Sequence, residues 1–140
     1  MSNSEADCEA LIYFVLPLAK ELLSSHGGFL PFGGAMRSSG ELVSVGTYAG
    51  EAPTQSTELI RLLKASFIDA ARKGEFKATA LVYDVRVALP STRQKSDAVA
   101  VSLNHRDGYS VIAILPYKID SGKLIIGSAF TQEGEADIFP

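Results

Sequence analysis

The sequence predicts an α+β fold in which two long helices accompany an antiparallel sheet of five or six strands. Two stretches of helical length carry apolar residues at helical spacing, one at the start of the chain and one near its middle. The stretches after the second helix alternate between larger and smaller side chains, as consecutive strands do. Asp107-Gly108 between two apolar runs is a strong hairpin signal. Together these observations predict a single domain over residues 1–140 with the element order α-β-β-α-β-β-β-β.

The first helix is predicted from about Glu5 to Ser25. Its apolar stripe recurs every three or four residues and consists of Leu11, Val15, Leu18 and Leu22. Pro17 lacks the N–H that would bond to Tyr13, so we expect it to kink or divide the helix. The sequence His26-Gly27-Gly28 ends the helix, because glycine is favoured just past a helix C-terminus.

Two strands and a second helix are predicted next. Phe29–Arg37 contains proline and a glycine pair, which suit an edge strand. Glu41–Tyr48 is the second strand, and Ala49–Pro53 is a loop. Thr54 caps a helix over Gln55–Lys73, whose apolar stripe consists of Leu59, Ile60, Leu63, Phe67 and Ala70.

The third strand, Lys77–Leu89, and the hairpin within Asp97–Tyr117 are predicted to form the middle of the sheet. A two-residue turn at Asp107-Gly108 places Leu103 opposite Ile112 and Val101 opposite Ile114. Because side chains alternate between the faces of a strand, this register predicts one bulky face and one small face. The bulky face, which we assign to the core, carries Thr79, Leu81, Tyr83, Val85, Val87, Leu89, Val99, Val101, Leu103, Ile112 and Ile114.

A sixth strand is predicted over Leu124–Phe130. The tail, Thr131–Pro140, carries three acidic residues and is expected to be partly loose, although Ile138 and Phe139 can dock on the domain or on a partner. This element order is similar to that of profilin-like and Roadblock-type domains. The resemblance is one of element order, so no site residues follow from it.

The composition disfavours several classes of protein. A formal net charge of −3 with both signs interspersed lacks the basic excess of a nucleic-acid binder. The only cysteine, Cys8, rules out an intrachain disulfide and a cysteine-rich zinc site. No stretch reads as a signal peptide or a membrane-spanning helix. We therefore expect a cytoplasmic protein without nucleic-acid or membrane partners.

No catalytic constellation is visible in the sequence. The glycine pairs fit neither a Walker A motif nor a dinucleotide-binding loop. His26 and His105 are read as a helix-end residue and a hydrogen-bonded residue beside the turn. No spacing suggests a metal site. We expect no catalytic residue, cofactor or metal, and consider an enzyme less favoured than a binding protein.

The small sheet face is the first candidate site. Its proposed interface residues are Ala80, Val82, Ala100, Ser102, Ala113 and Leu115. An exposed face of small apolar residues would suit a protein partner, here a second copy of the chain in a homodimer. Coverage of the same face by the chain's own first helix is equally open.

A basic group is the second candidate site. Arg86 lies on the small face, and Arg93 and Lys95 lie in the loop that follows. Guanidinium groups suit carboxylates and phosphates, so these residues predict the anion or small-molecule site of a binding protein or a minor enzyme, closed by the segment Phe29–Gly34. Pairing with Asp84 and Asp97 is the structural alternative.

Overall fold

The computed structural model describes residues 4–46 and 56–139. Within these ranges the chain forms two helices and seven strand segments. The helices are α1 (Ser4–His26) and α2 (Ser56–Arg72). The strands are β1 (Phe32–Arg37), β2 (Leu42–Val45), β3 (Phe76–Ala88), β4 (Lys95–His105), β5 (Ser110–Asp120), β6 (Lys123–Ile126) and β7 (Phe130–Glu133).

All of the strands join one antiparallel sheet in the order β2-β1-β3-β4-β5-β6. The short strand β7 also pairs with β5, at the end next to the β4–β5 turn. Strands β6 and β7 therefore lie along the same edge of β5, separated by residues 127–129, where the N–H of Gly127 donates to the carbonyl of Pro116 (2.8 Å). The predicted fold class and element order are confirmed, with a sheet of six to seven strands.

Helix α2 packs on β1 and β3 and buries four of the five residues of its predicted stripe, whereas Ile60 is only partly buried. Leu59, Leu63, Phe67 and Ala70 are buried. Phe67 lies directly over Gly33 of β1, where only a glycine leaves room for the ring. The predicted cap Thr54, the loop Ala49–Pro53 and the last two residues of the predicted second strand lie outside the described residues.

Helix α1 packs on the opposite side of the sheet, mainly on β3, β1 and β4. It runs continuously through Pro17, so the expected division of the helix does not occur. Its buried residues follow helical spacing, but in the C-terminal half they lie one position after the predicted stripe. The buried residues are Cys8, Leu11, Val15, Ala19 and Leu23. Leu18 and Leu22, which the periodicity also placed in the stripe, are only partly buried.

The β4–β5 hairpin turns through three residues, where the sequence predicted two. The N–H of His105 donates to the carbonyl of Tyr109 (2.9 Å), and the N–H of Gly108 donates to the carbonyl of His105 (3.0 Å). Gly108 has a φ of 95°, which glycine adopts without strain. A three-residue loop with a glycine in this region is a common hairpin connection, and it adds one residue to the turn.

This additional residue moves the register of β5 by one position. Leu103 lies opposite Val111 and Val101 lies opposite Ala113, so the predicted partners Ile112 and Ile114 are wrong. A shift of one residue sends every side chain of a strand to the other face. The predicted division into one bulky and one small face is therefore also wrong for β5 relative to β4.

The two faces of the sheet are consequently composed differently from the prediction. The α1 face carries Ala78, Ala80, Val82, Val99, Val101, Leu103, Ala113, Leu115 and Tyr117. The α2 face carries Thr79, Leu81, Tyr83, Val85, Val87, Ala98, Ala100, Ser102, Asn104, Ile112 and Ile114. Small and bulky residues occur on both faces, and both faces contribute to the core.

The C-terminal tail packs on the domain through Ile138, which is one of the two placements that the sequence left open for Ile138 and Phe139. Ile138 is 4% exposed and lies between α2 and the sheet. Lys64 of α2 forms ion pairs with Asp137 (2.8 Å) and Glu135 (3.2 Å). The Oγ of Ser110 accepts a hydrogen bond from the N–H of Ala136 (3.1 Å), which ties the tail to the start of β5.

Candidate interaction surface

The six residues of the predicted interface do not form one surface. Four of them, Ala80, Val82, Ala113 and Leu115, are buried on the α1 face within the cluster that α1 completes. The other two, Ala100 and Ser102, are buried on the α2 face. The sequence left two possibilities open for the residues on the α1 face: contact with a second copy of the chain, or coverage by the chain's own first helix. In the structure the first helix covers them.

The α2 face contains a second apolar cluster. Among the residues that the structure describes, no side chain of α1 or α2 belongs to it. Its buried residues are Ala98, Ala100, Ile112 and Ile114, and Tyr83, Val85, Val87 and Phe130 pack around them. We call these eight residues the helix-free cluster. By contrast, the cluster on the α1 face includes five buried residues of α1, and the cluster under α2 includes Leu63 and Phe67.

The length of the strands explains why one helix leaves this cluster uncovered. Strand β3 has 13 residues and spans about 43 Å, whereas the 17-residue α2 is about 26 Å long and about 10 Å wide, so it cannot cover the strand in any orientation. Helix α2 packs on the β1–β3 side of the face. The second half of β3 and the strands beside it therefore extend past the helix.

The outer residues of the helix-free cluster are uncharged and partly exposed. Tyr83, Val85, Val87 and Phe130 each retain contact with solvent. A depression of about 360 Å³ adjoins the cluster, between Leu89-Pro90 and Phe130. It continues past Pro116 towards Ile125, which is 40% exposed, and Lys118 lies at this margin. The surface is thus apolar across its centre and charged at its margins, with Lys118 at one end and the Lys64 ion pairs near Tyr83 at the other.

The three residues of the predicted anion site lie around the β3–β4 turn, and one of them is paired with a carboxylate. Arg86 is 65% exposed and forms an ion pair with Asp97 at 3.4 Å. Arg93 lies in the β3–β4 turn with a φ of 60°, and Lys95 begins β4. In the β3–β4 register Lys95 lies opposite Ala88, two positions along β3 from Arg86 and on the same face of the sheet. The structure therefore contains the pairing with Asp97 that the sequence left open as the alternative.

A polar cluster joins the start of α1 to the β4–β5 turn. The Nε2 of His105 donates to Oδ2 of Asp7 (2.9 Å), since Nδ1 accepts the N–H of Asp107 (3.1 Å). Lys77 adds an ion pair to the same Asp7 oxygen at 3.4 Å. Burial raises the pKa of Asp7, but the hydrogen bond from His105 and the charge of Lys77 together outweigh it and hold the pKa below its ordinary value.

This cluster is not arranged as a catalytic triad. The hydroxyl of Ser110 donates to Oδ1 of Asn104 (2.8 Å), and both nitrogens of His105 are already engaged. Burial raises the pKa of the Cys8 thiol to about 12, so it is not a ready nucleophile near neutral pH. Among the described residues no group of three or more side chains is placed to hold a metal ion.

The lowered pKa of Asp7 makes a testable contribution to stability. A carboxyl whose pKa is lower in the folded state stabilises the fold above its ordinary pKa of 3.8, and this contribution disappears as the pH falls through the lower, folded-state pKa. We expect wild type to exceed Asp7→Asn in unfolding free energy at about pH 5, and the difference to shrink by about pH 2.5.

Urea unfolding over this pH range measures the difference, and Glu58→Gln is the matched control. Glu58 pairs with Arg61 on the exposed side of α2, and its loss should change the unfolding free energy little at either pH. A difference between wild type and Asp7→Asn that is constant with pH would contradict the assignment.

Comparison with known proteins finds no family model, no curated protein and no solved structure that matches this chain. None of the helices in the described ranges has the length and apolar character needed to span a membrane.

The sequence contained a signal for the helix-free cluster that the predicted register concealed. Val85 and Val87 continue the bulky row of β3 far beyond the part that one helix covers. With a two-residue turn, Ile112 and Ile114 were assigned to the side of Val101. Only the three-residue turn places them beside Ala98 and Ala100.

Proposed function

We propose that this protein is a non-catalytic interaction module that associates with a second copy of itself through the helix-free cluster. One observation carries the proposal: the outer residues of this cluster are apolar and partly exposed, and of these only Tyr83, at its margin, also packs against the cluster under α2. Contiguous exposed apolar surface is typical of partner-binding sites. The proposed surface replaces the interface that the sequence predicted and shares Ala100 with it.

The chemistry of the surface favours a second copy as the partner. In a two-fold symmetric interface a surface patch meets its own equivalent, so a charged patch would face like charges near the axis. The outer residues Tyr83, Val85, Val87 and Phe130 carry no charge. Tyr83 and Phe130 also supply the large aromatic contacts that are enriched at interfaces.

A cytoplasmic location is part of the proposal. The single cysteine is buried and unpaired with another thiol, as is usual in a reducing compartment. The alternative function, an anion site at Arg86, Arg93 and Lys95, has weaker support because Asp97 already neutralises Arg86.

Adjacent residues on opposite faces of β3 provide a matched test of self-association. Val87 belongs to the helix-free cluster, whereas the next residue, Ala88, is exposed on the other face. We expect wild type to show a dimer mass by light scattering after gel filtration. Val87→Glu should shift it to the monomer, because two buried carboxylates would meet at the interface, and Ala88→Glu should leave it dimeric.

Thermal unfolding of all three proteins should show that each remains folded. A monomer mass for wild type at every concentration would overturn the proposal. Equal masses for Val87→Glu and Ala88→Glu would exclude this surface as the interface.

A further inference from the structure

A second apolar feature lies on the other side of the domain, between the C-terminal half of α1 and the segment that leads into β1. It is a half-open cavity of about 380 Å³ whose apolar wall includes Leu18, Leu22, Phe29, Pro31 and Phe32. Cavities of this size and lining are typical of small-molecule sites. None of these residues belongs to the helix-free cluster, so the cavity is separate from the proposed interface.

The wall of the cavity is held in place by packing with the core. Phe32 is buried, and Phe29 contacts it edge to face with ring centroids 5.6 Å apart. Leu18 and Leu22 belong to the helix that covers the α1 face. An apolar ligand would therefore meet a largely preformed surface and would order few side chains on binding.

A carboxylate lies beside this apolar wall. Gly28 lines the cavity, and a Cβ at this residue would be 3.8 Å from Oδ2 of Asp84. The other oxygen of Asp84, Oδ1, accepts a hydrogen bond from the hydroxyl of Tyr117 (2.8 Å), which orients the carboxyl group. Oδ2 is therefore the oxygen on the side of Gly28.

The electrostatic surroundings of Asp84 favour a cation. Partial burial raises the pKa of Asp84, and the charge of Asp97 raises it further, against the hydrogen bonds from the Tyr117 hydroxyl and the N–H of Val85. A raised pKa means that the ionised carboxylate is disfavoured, and a positive group near Oδ2 would stabilise it. The C-terminus of α1, which ends at His26 on the wall of the same cavity, adds the negative end of a helix dipole.

We propose that this cavity binds a small amphipathic amine, with its apolar body against Leu22 and Phe29 and its ammonium group directed past Gly28 to Asp84. The apolar lining supplies affinity, and the carboxylate selects the head group. This ligand class is opposite in charge to the one predicted from Arg86, Arg93 and Lys95. The inference does not depend on self-association.

Three molecules with the same carbon chain and different head groups provide the test: hexylamine, 1-hexanol and hexanoate. Calorimetric titration should give the highest affinity for the amine, about tenfold above the alcohol, which corresponds to one charge-assisted hydrogen bond. Hexanoate should bind more weakly than the alcohol. In amide NMR spectra, the signals of Gly28 and Phe29 should move on addition of hexylamine.

Substitutions then separate the head-group contact from the apolar contact. Asp84→Asn keeps an oxygen for Tyr117 and should abolish the preference for amine over alcohol. Asp69→Asn, a control carboxylate that pairs with Lys73 on α2, should retain the preference. Leu22→Phe should narrow the cavity and weaken binding of both the amine and the alcohol.

Each outcome decides the proposal. Failure of wild type to bind both hexylamine and 1-hexanol would overturn the site. Equal affinity of wild type for the two would overturn the role of Asp84, and this measurement does not require the variant to fold. A preference that persists in Asp84→Asn would also overturn that role.

Discussion

Replacing Phe67 with alanine should lower the unfolding free energy by about 4 kcal/mol. The ring is fully buried and connects α2 to both β1 and β3, the two strands on which the helix packs. Its edge also contacts the ring of Phe76. Because α2 and its strands enclose the ring on several sides, they cannot collapse into the space that the truncation leaves.

Urea unfolding measures this effect, with Leu62→Ala as the control on the same helix. Leu62 is 36% exposed, so its truncation should cost less than about 1 kcal/mol. Similar costs for the two variants would show that Phe67 does not anchor the helix.

The space above Gly33 provides a second measurement of the same contact. A Cβ at this residue would lie 2.6 Å from Cζ of Phe67 and 3.1 Å from the carbonyl oxygen of Ala80. Gly33→Ala should therefore destabilise wild type by about 2 kcal/mol through overpacking. In a Phe67→Leu background the cost should fall, because the ring is gone and only the carbonyl contact remains. If Gly33→Ala destabilises both backgrounds equally, the added methyl group does not clash with the ring of Phe67.

Replacing His105 with alanine should lower the unfolding free energy by about 3 kcal/mol. The imidazole is buried, and it makes one hydrogen bond to the carboxylate of Asp7 and one to the N–H of Asp107. Without it, Asp7 keeps its ion pair with Lys77 but loses the hydrogen bond that joins the start of α1 to the hairpin turn. A hydrogen bond to a charged group contributes more than a neutral one, which is why we expect a large cost.

The other histidine is the natural control. His26 is exposed at the end of α1, and His26→Ala should change the unfolding free energy by less than about 0.5 kcal/mol. A double-mutant cycle of His105→Ala with Asp7→Asn should give a coupling energy of about 1 kcal/mol or more. Additive effects of the two substitutions would show that the bond contributes nothing measurable.

Local patterns in the sequence were sufficient to predict the helices and most of the strands. The spacing of Leu59, Leu63, Phe67 and Ala70 predicts the buried side of α2, and each of these residues is buried. The hairpin signal at Asp107-Gly108 is also correct in position. These features depend on neighbours within one turn of helix or one tight loop, which a single sequence displays.

The candidate site was harder to predict because it depends on one residue in a turn. A two-residue and a three-residue loop both use Asp-Gly, yet they place Ile112 and Ile114 on opposite faces of the sheet. The predicted interface therefore combined residues that lie on different faces. The segment Phe29–Gly34 was predicted only to close an anion site, and the cavity beside Phe29 was not predicted. Its carboxylate, Asp84, was read as a partner for arginine.

The sequence by itself determined which segments form helices and strands, because periodicity and turn residues act over a few neighbouring positions. Only the tertiary structure decided the register of β5, the helix that covers each face of the sheet, and the place where Ile138 docks. These depend on contacts between residues that are distant in the chain. The free-energy difference between competing arrangements there comes from packing, which no local pattern records.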